Sequence, residues 1–215
     1  MAKRHQSQRQ PIGRAAGPRI FLSASVPLPS RDAVYFDTAD VVAIRDAVRA
    51  LTIVVMEENA QLVFGGHPAI LPMIRLQVAQ TGMPVGDRVV MFWSRYFERV
   101  FPDDHTAFER VVLTDSVDGD RGKSLLFMRQ QMLAGPFRCG IFIGGMNGVE
   151  DEYAMFRQMH PKTPAFPIAS TGAAAGIIYE ADQQLRKRYP ELSEEISYLT
   201  LMRSLTAPQR RRKKS

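Results

Sequence analysis

The sequence predicts an α/β fold: a Rossmann-like open, mostly parallel sheet with helices on both faces. Three observations predict it. Short apolar runs alternate with longer amphipathic segments through the middle of the chain. The runs are apolar throughout, as in strands covered on both faces, and do not alternate as a half-wet sheet would. Two of these runs lead directly into glycine-rich turns followed by helical segments, the pattern of strand-to-helix connections at the ligand edge of such sheets.

Residues 19–23, Arg-Ile-Phe-Leu-Ser, read as the first strand. From Asp40 to Asn59 the apolar residues Val41, Ile44, Val48, Leu51 and Val55 recur at steps of three, four, three and four, which lines one face of a helix. Asp37 or Thr38 is placed to cap its start, and Asn59 marks its exit. Further strands are expected over 61–64, 89–92, 111–114 and 140–143, with a weaker sixth over 165–168. Helices are expected over 69–80, 124–134, 149–159, 172–188 and 193–205. Pro68 would open the first of these, and Gly82 and Gly135 stand where the first two should end. The last carries Ile196, Leu199, Met202 and Leu205 at core-facing spacing, suited to packing on the sheet or to a homo-oligomer contact.

The chain has 215 residues, 45% hydrophobic and 23% charged, enough for one domain with its own core. The single cysteine, Cys139, excludes an internal disulfide framework and reads as a small buried residue. His5, His67, His105 and His160 show no paired ligand spacing, so no metal is expected, and no cofactor either. No run approaches the roughly 20 apolar residues that cross a bilayer. The first residues lack the apolar stretch of a secretory signal, so a cytoplasmic protein without a membrane partner is the simplest reading. The net charge is +6, but residues 1–18 carry four of the cations and residues 207–215 five, with no acid in either. The domain between them, 19–206, is left at −3. Both tails read as disordered basic segments, suited to non-specific attraction to polyanions, nucleic acid included.

The first glycine turn is Gly65-Gly66-His67-Pro68. Glycines there let backbone approach a ligand, or simply supply a tight turn. His67 is a phosphate contact or an exposed loop histidine. The second turn is Gly144-Gly145-Met146-Asn147-Gly148, which opens the helix containing Glu150, Asp151 and Glu152. Its amides suit an anionic phosphate at the positive end of a helix. The three carboxylates serve that dipole, or Glu152 turns toward a ribose. Gly122-Lys123-Ser124 resembles the end of a phosphate-binding P-loop, but Val117 stands where that motif needs its first glycine. Trp93 and Tyr96 follow a strand end, and either stack on a base or join a core cluster with Phe92 and Phe97.

In this order and spacing the turns resemble the LOG and SLOG group of Rossmann-like proteins over roughly residues 19–188. The resemblance rests on Ser23-Ala24-Ser25 ending the first strand, on Gly65 and Gly66, and on residues 143–152, which approximate a proline-glycine-glycine-x-glycine-threonine-x-x-glutamate signature. It implies that Gly144, Gly145, Asn147 and Gly148 hold a nucleotide phosphate and that Glu152 engages the ribose. It further implies that Arg129, on the preceding helix, completes the site, with Ser23, Ser25 and His67 as further contacts. Several positions depart from the hydrolases of the group. Met128 replaces one member of a basic pair, Ile143 the proline, Val149 the threonine and His67 a glycine. Each departure touches the phosphate grip or the cationic group. The resemblance therefore points first to a SLOG-type module that binds a nucleotide or NAD-derived ligand, as a sensor in bacterial defence or signalling with an effector partner. The alternative is a phosphoribohydrolase that cleaves the N-glycosidic bond of a nucleoside 5′-monophosphate, with Glu152 and Arg129 as catalytic groups.

Overall fold

The computed structural model describes residues 17–30, 32–81, 88–100 and 110–208. Both basic tails, apart from a few residues next to the domain, as well as Gly82 and His105, lie outside the described residues. Six strands form one parallel sheet: β1 (Arg19–Ser25), β2 (Gln61–Gly65), β3 (Val89–Ser94), β4 (Arg110–Thr114), β5 (Cys139–Gly144) and β6 (Ala165–Ile168). Their order is β4-β3-β2-β1-β5-β6. The chain winds outward from β1 to β4, then crosses back to lay β5 on the other side of β1. That reversal makes the C-terminal ends of β1 and β5, where Ser25 lies level with Gly144, the switch point of the sheet, the place where folds of this class have their ligand crevice.

The expected helices form with sharper boundaries. α1 (Ala33–Phe36) was not foreseen; α2 (Val41–Glu57) and α3 (Leu71–Thr81) were. Asp40 caps α2 by accepting the Ala43 N–H at 2.9 Å, where Asp37 or Thr38 was expected. Thr38 is instead spent on the Val34 carbonyl, and Asp37 closes α1. Pro68 lies in the turn ahead of α3, not at its first position. α4 (Arg121–Met132) is capped by Asp120, so the P-loop-like segment is a helix entry, with the Asp120 carboxylate accepting the Lys123 N–H at 2.7 Å. α5 (Asn147–Met159) follows β5. The expected helix over 172–188 is two, α6 (Ala173–Ala181) and α7 (Gln183–Arg188). Asp182 breaks it by accepting the amides of Gln184 and Leu185. The last divides likewise into α8 (Glu191–Glu194) and α9 (Tyr198–Thr206), which leaves Ile196 between them and 78% exposed instead of core-facing.

Strand alternation sorts the core into two layers. Ile20 and Leu22 of β1 pack with Ile44, Val48 and Leu51 of α2 and with Leu201 and Met202 of α9. Phe21, between them in sequence, faces the opposite layer beneath α4 and α5. There it stacks on Phe156 at 5.5 Å and meets Phe142 edge-on. The final helix thus spends its apolar face on α2. No helix among the described residues is long and apolar enough to cross a membrane.

Candidate functional site

Ser23 and Ser25 share a face of β1 with Phe21, so both point toward the layer of α4 and α5. Ser23 Oγ donates to Glu152 Oε2 at 2.6 Å. Arg129, reaching from α4, donates through Nε to Glu152 Oε1 at 3.2 Å, through Nη1 to Asp151 Oδ2 at 3.1 Å and through Nη2 to the Gly148 carbonyl at 3.3 Å. Positions 148 and 152 are one turn apart on α5, so a single guanidinium spans them. The side chains of Arg129 and Glu152 are each 14% exposed. Burial raises the Glu152 carboxyl above the ordinary glutamate range. Arg129 and the hydrogen bonds from Ser23 and Arg129 pull it down, while Asp151 adds to the rise. The result is a desolvated carboxylate clamped on both oxygens.

Above this clamp, β5 turns into α5 through two glycines with left-handed backbone: φ is +54° at Gly144 and +91° at Gly145. A Cβ at Gly145 would run into the Val149 side chain, so the turn has room for glycine alone. Thr171, completely buried, fixes the turn from below by accepting the Gly144 N–H at 2.8 Å. The α5 N-terminus has no side-chain cap. Among the described residues, the amides of 145–148 donate no hydrogen bond to other backbone. Asn147 is exposed at the mouth. Ser25 is 7% exposed, and its hydroxyl has no hydrogen-bond partner among the described residues. Ser25 and the start of α5 thus carry donors without partners among the described residues, on the same two elements that hold Ser23 and Glu152.

The first glycine turn lies apart from this cluster. Gly65, level with Ser23 across β1, faces Met128 and Met132 with ordinary room for a methyl group at 3.6 Å. Gly66 is glycine because the indole of Trp93 occupies the space of its Cβ. Trp93 is 5% exposed, a core residue. Tyr96 is 39% exposed and packs edge-on against Phe97. His67 accepts the Ala69 N–H through Nδ1 at 3.3 Å and so helps shape the turn. The structure brings Ser23, Arg129, Gly148 and Glu152 into direct contact and sets Ser25, Gly144, Gly145 and Asn147 around them. Gly65, Gly66 and His67 stand on the far side of β1.

Residues 34–206 match the model of the SLOG cluster3 family. The chain belongs to the SLOG cluster3 family. Comparison with curated proteins finds no match. The family match begins at α1, so β1, which supplies Ser23 and Ser25 to this SLOG domain, precedes it.

Two contributors, Thr171 and Tyr35, were not named from the sequence, and the partners of Glu150 and Asp151 were not read from it. Thr171 holds the Gly144 amide, and Asp151 shares Arg129. Tyr35 donates to Glu150 Oε2 at 2.8 Å and so ties α1 over the start of α5. Burial first, and then Glu150, push the Tyr35 hydroxyl up to about 12. Glu150 and Asp151 carried a signal, as carboxylates at a helix start, but their partners lie more than a hundred and about twenty residues away and leave no local pattern. Among the described residues, no group of three or more acidic, histidine or cysteine side chains is placed to hold a metal ion. Cys139 is buried, and burial pushes its thiol up to about 12, far from a nucleophile's range.

Proposed function

We propose that this SLOG protein binds a nucleotide or NAD-derived ligand in the crevice between β1 and β5. The observation that carries the reading is the uncapped α5 N-terminus, whose four successive amides at 145–148 lack backbone acceptors among the described residues. Phosphate oxygens would take those hydrogen bonds, with the Ser25 hydroxyl as a neighbouring donor. Glu152, fixed by Ser23 and Arg129, would accept from ribose hydroxyls. Arg129 already holds two carboxylates and a carbonyl, so its role is to position Glu152 and the first turn of α5 while phosphate rests on backbone. In a cell the bound ligand would be a signal passed to an effector in bacterial defence. Mass spectrometry of small molecules retained by the native protein, with thermal-shift titration of nucleotides and cyclic ADP-ribose, tests this. A nucleotide that is retained by the parent and lost from Arg129→Ala supports it. No retained ligand and no thermal shift across the series would overturn it.

The buried, doubly clamped Glu152 also favours a second reading, hydrolysis of a nucleoside 5′-monophosphate. Water would add to C1′ as the N-glycosidic bond breaks, its electron pair leaving with the base and a water proton passing to that base. Glu152 would stabilise the positive charge developing on the ribose. Free base and ribose 5-phosphate formed from AMP, and abolished by Glu152→Gln, would establish it. Unchanged AMP after long incubation at high protein concentration excludes it.

A further inference from the structure

A second cleft lies at the opposite end of the sheet from the glycine turns, where the last turns of α5, the turn before β6 and α7 meet. Tyr153, Arg157, Lys162, Thr163, Asp182 and Arg188 are among the residues that line it. Its volume of about 310 Å³ is that of a compact small-molecule site. Three of these side chains are cations and one is an acid. Asp182 is committed to capping α7, its Oδ1 accepting the Gln184 and Leu185 amides at 3.0 Å each. Among the described residues, none of Arg157, Lys162 and Arg188 has a carboxylate within ion-pair distance, whereas the neighbouring Arg186 pairs with Glu180 at 3.2 Å. The Arg188 guanidinium lies over the Tyr189 ring at 5.2 Å. Arg157 and Arg188 each offset the negative end of their own helix. That accounts for each separately. It does not account for Lys162, which sits on a turn, or for the meeting of all three around one cavity. The Tyr153 hydroxyl is raised by burial and feels both Arg157 and Asp182, so these groups share one space.

An extended peptide is a poor occupant. The Gly140 N–H donates to the Pro164 carbonyl at 2.9 Å, which turns the backbone nitrogens of Ala165 and Pro167 toward the outer edge of β6. Pro167 has no N–H to offer an added strand. We propose that this cleft binds a small, multiply charged anion of the phosphate class, separately from the ligand of the glycine turns.

The test is calorimetric titration of the full chain with inorganic pyrophosphate, comparing the parent, the double variant Arg157→Gln/Arg188→Gln, and Lys187→Gln, an exposed cation of α7 outside the cleft lining. All of the altered residues are exposed, and circular dichroism checks that the variants are folded. The double variant is expected to weaken binding by about tenfold or more, and Lys162→Gln by less. Lys187→Gln should leave it within about twofold. Absence of binding by the parent, equal binding by the double variant (as the basic tails or the glycine turns would produce), or an equal loss on Lys187→Gln would overturn the proposal.

Discussion

Replacing Arg129 with methionine keeps much of the volume on α4 and removes the charge. Glu152 would then be left buried with Ser23 as its remaining partner, since Arg129 supplies its only charge-assisted contact among the described residues. Breaking a buried ion pair by removing one member costs about 3–5 kcal/mol. Both side chains retain 14% exposure, and Asp151, at 57%, loses little. The low end, about 3 kcal/mol at neutral pH, is therefore expected. For a domain of this size that is a fall in melting temperature of roughly 9 °C. The pH dependence gives the sharper signature. Glu152 is already raised in the folded state, and Arg129 is one of the groups holding it down, so the variant raises it further. A raised carboxyl contributes stability that is complete below its unfolded value and is lost as pH climbs through its folded one. The gap between variant and parent should therefore be widest at pH 8 and narrow toward pH 5. It changes by at most about 1.4 kcal/mol per pH unit while one proton is taken up. Urea unfolding at pH 5, 6.5 and 8 measures it, and adding Glu152→Gln to the variant should recover most of the loss. A loss below about 1 kcal/mol, or parallel stability curves across that range, would refute the buried clamp.

The two glycines of the first turn should separate cleanly. Gly66→Ala forces the Trp93 indole to move and should cost about 1–3 kcal/mol in urea unfolding, whereas Gly65→Ala should be tolerated. Thr171→Val strands the buried Gly144 amide and should cost about 1–3 kcal/mol, with Thr171→Ser keeping most of the stability. Cys139 should resist a thiol-reactive dye in the native protein at pH 8 and react fully in denaturant, as follows from its burial and its thiol at about 12. Rapid native labelling would contradict the packing of β5.

The sheet was legible because its signals are local. Each strand is a continuous apolar run, and the α2 face repeats within 20 residues, with Ile44, Val48, Leu51 and Val55 all completely buried. The glycine turns pointed to the C-terminal edge of the sheet, whereas the strand order, set by long-range pairing, left no local signal. Boundaries moved where one polar side chain decided them. Asp182 ends a helix that the apolar pattern would continue, and Asp40 outcompetes Asp37 and Thr38 because those two serve α1 and its surroundings. Ser23, Arg129 and Glu152 were expected around one ligand, and the structure brings their side chains into contact with one another, but the direction of Arg129 was not visible. A guanidinium offers the same fork to a phosphate or to two carboxylates, and Asp151 and Glu152 are the carboxylates that claim it. Gly66 shows the same limit: a missing Cβ looks alike in sequence whether the space belongs to a ligand or to Trp93.

The central position of β1 has a consequence in time. On one side it pairs with β2, some forty residues downstream; on the other it waits for β5, where Ile20 meets Cys139 and Ser25 meets Gly144, more than a hundred residues later. During synthesis the early strands can therefore assemble while β1 still presents an open edge, the kind of surface on which nascent chains pair wrongly. The loop closed by β1 and β5 is long and carries an entropic cost that local contacts do not share. The crevice is bounded by just those two strands, so it exists only once β5 has docked on β1. The proposed ligand site is therefore complete only in a chain that has closed this long-range pairing.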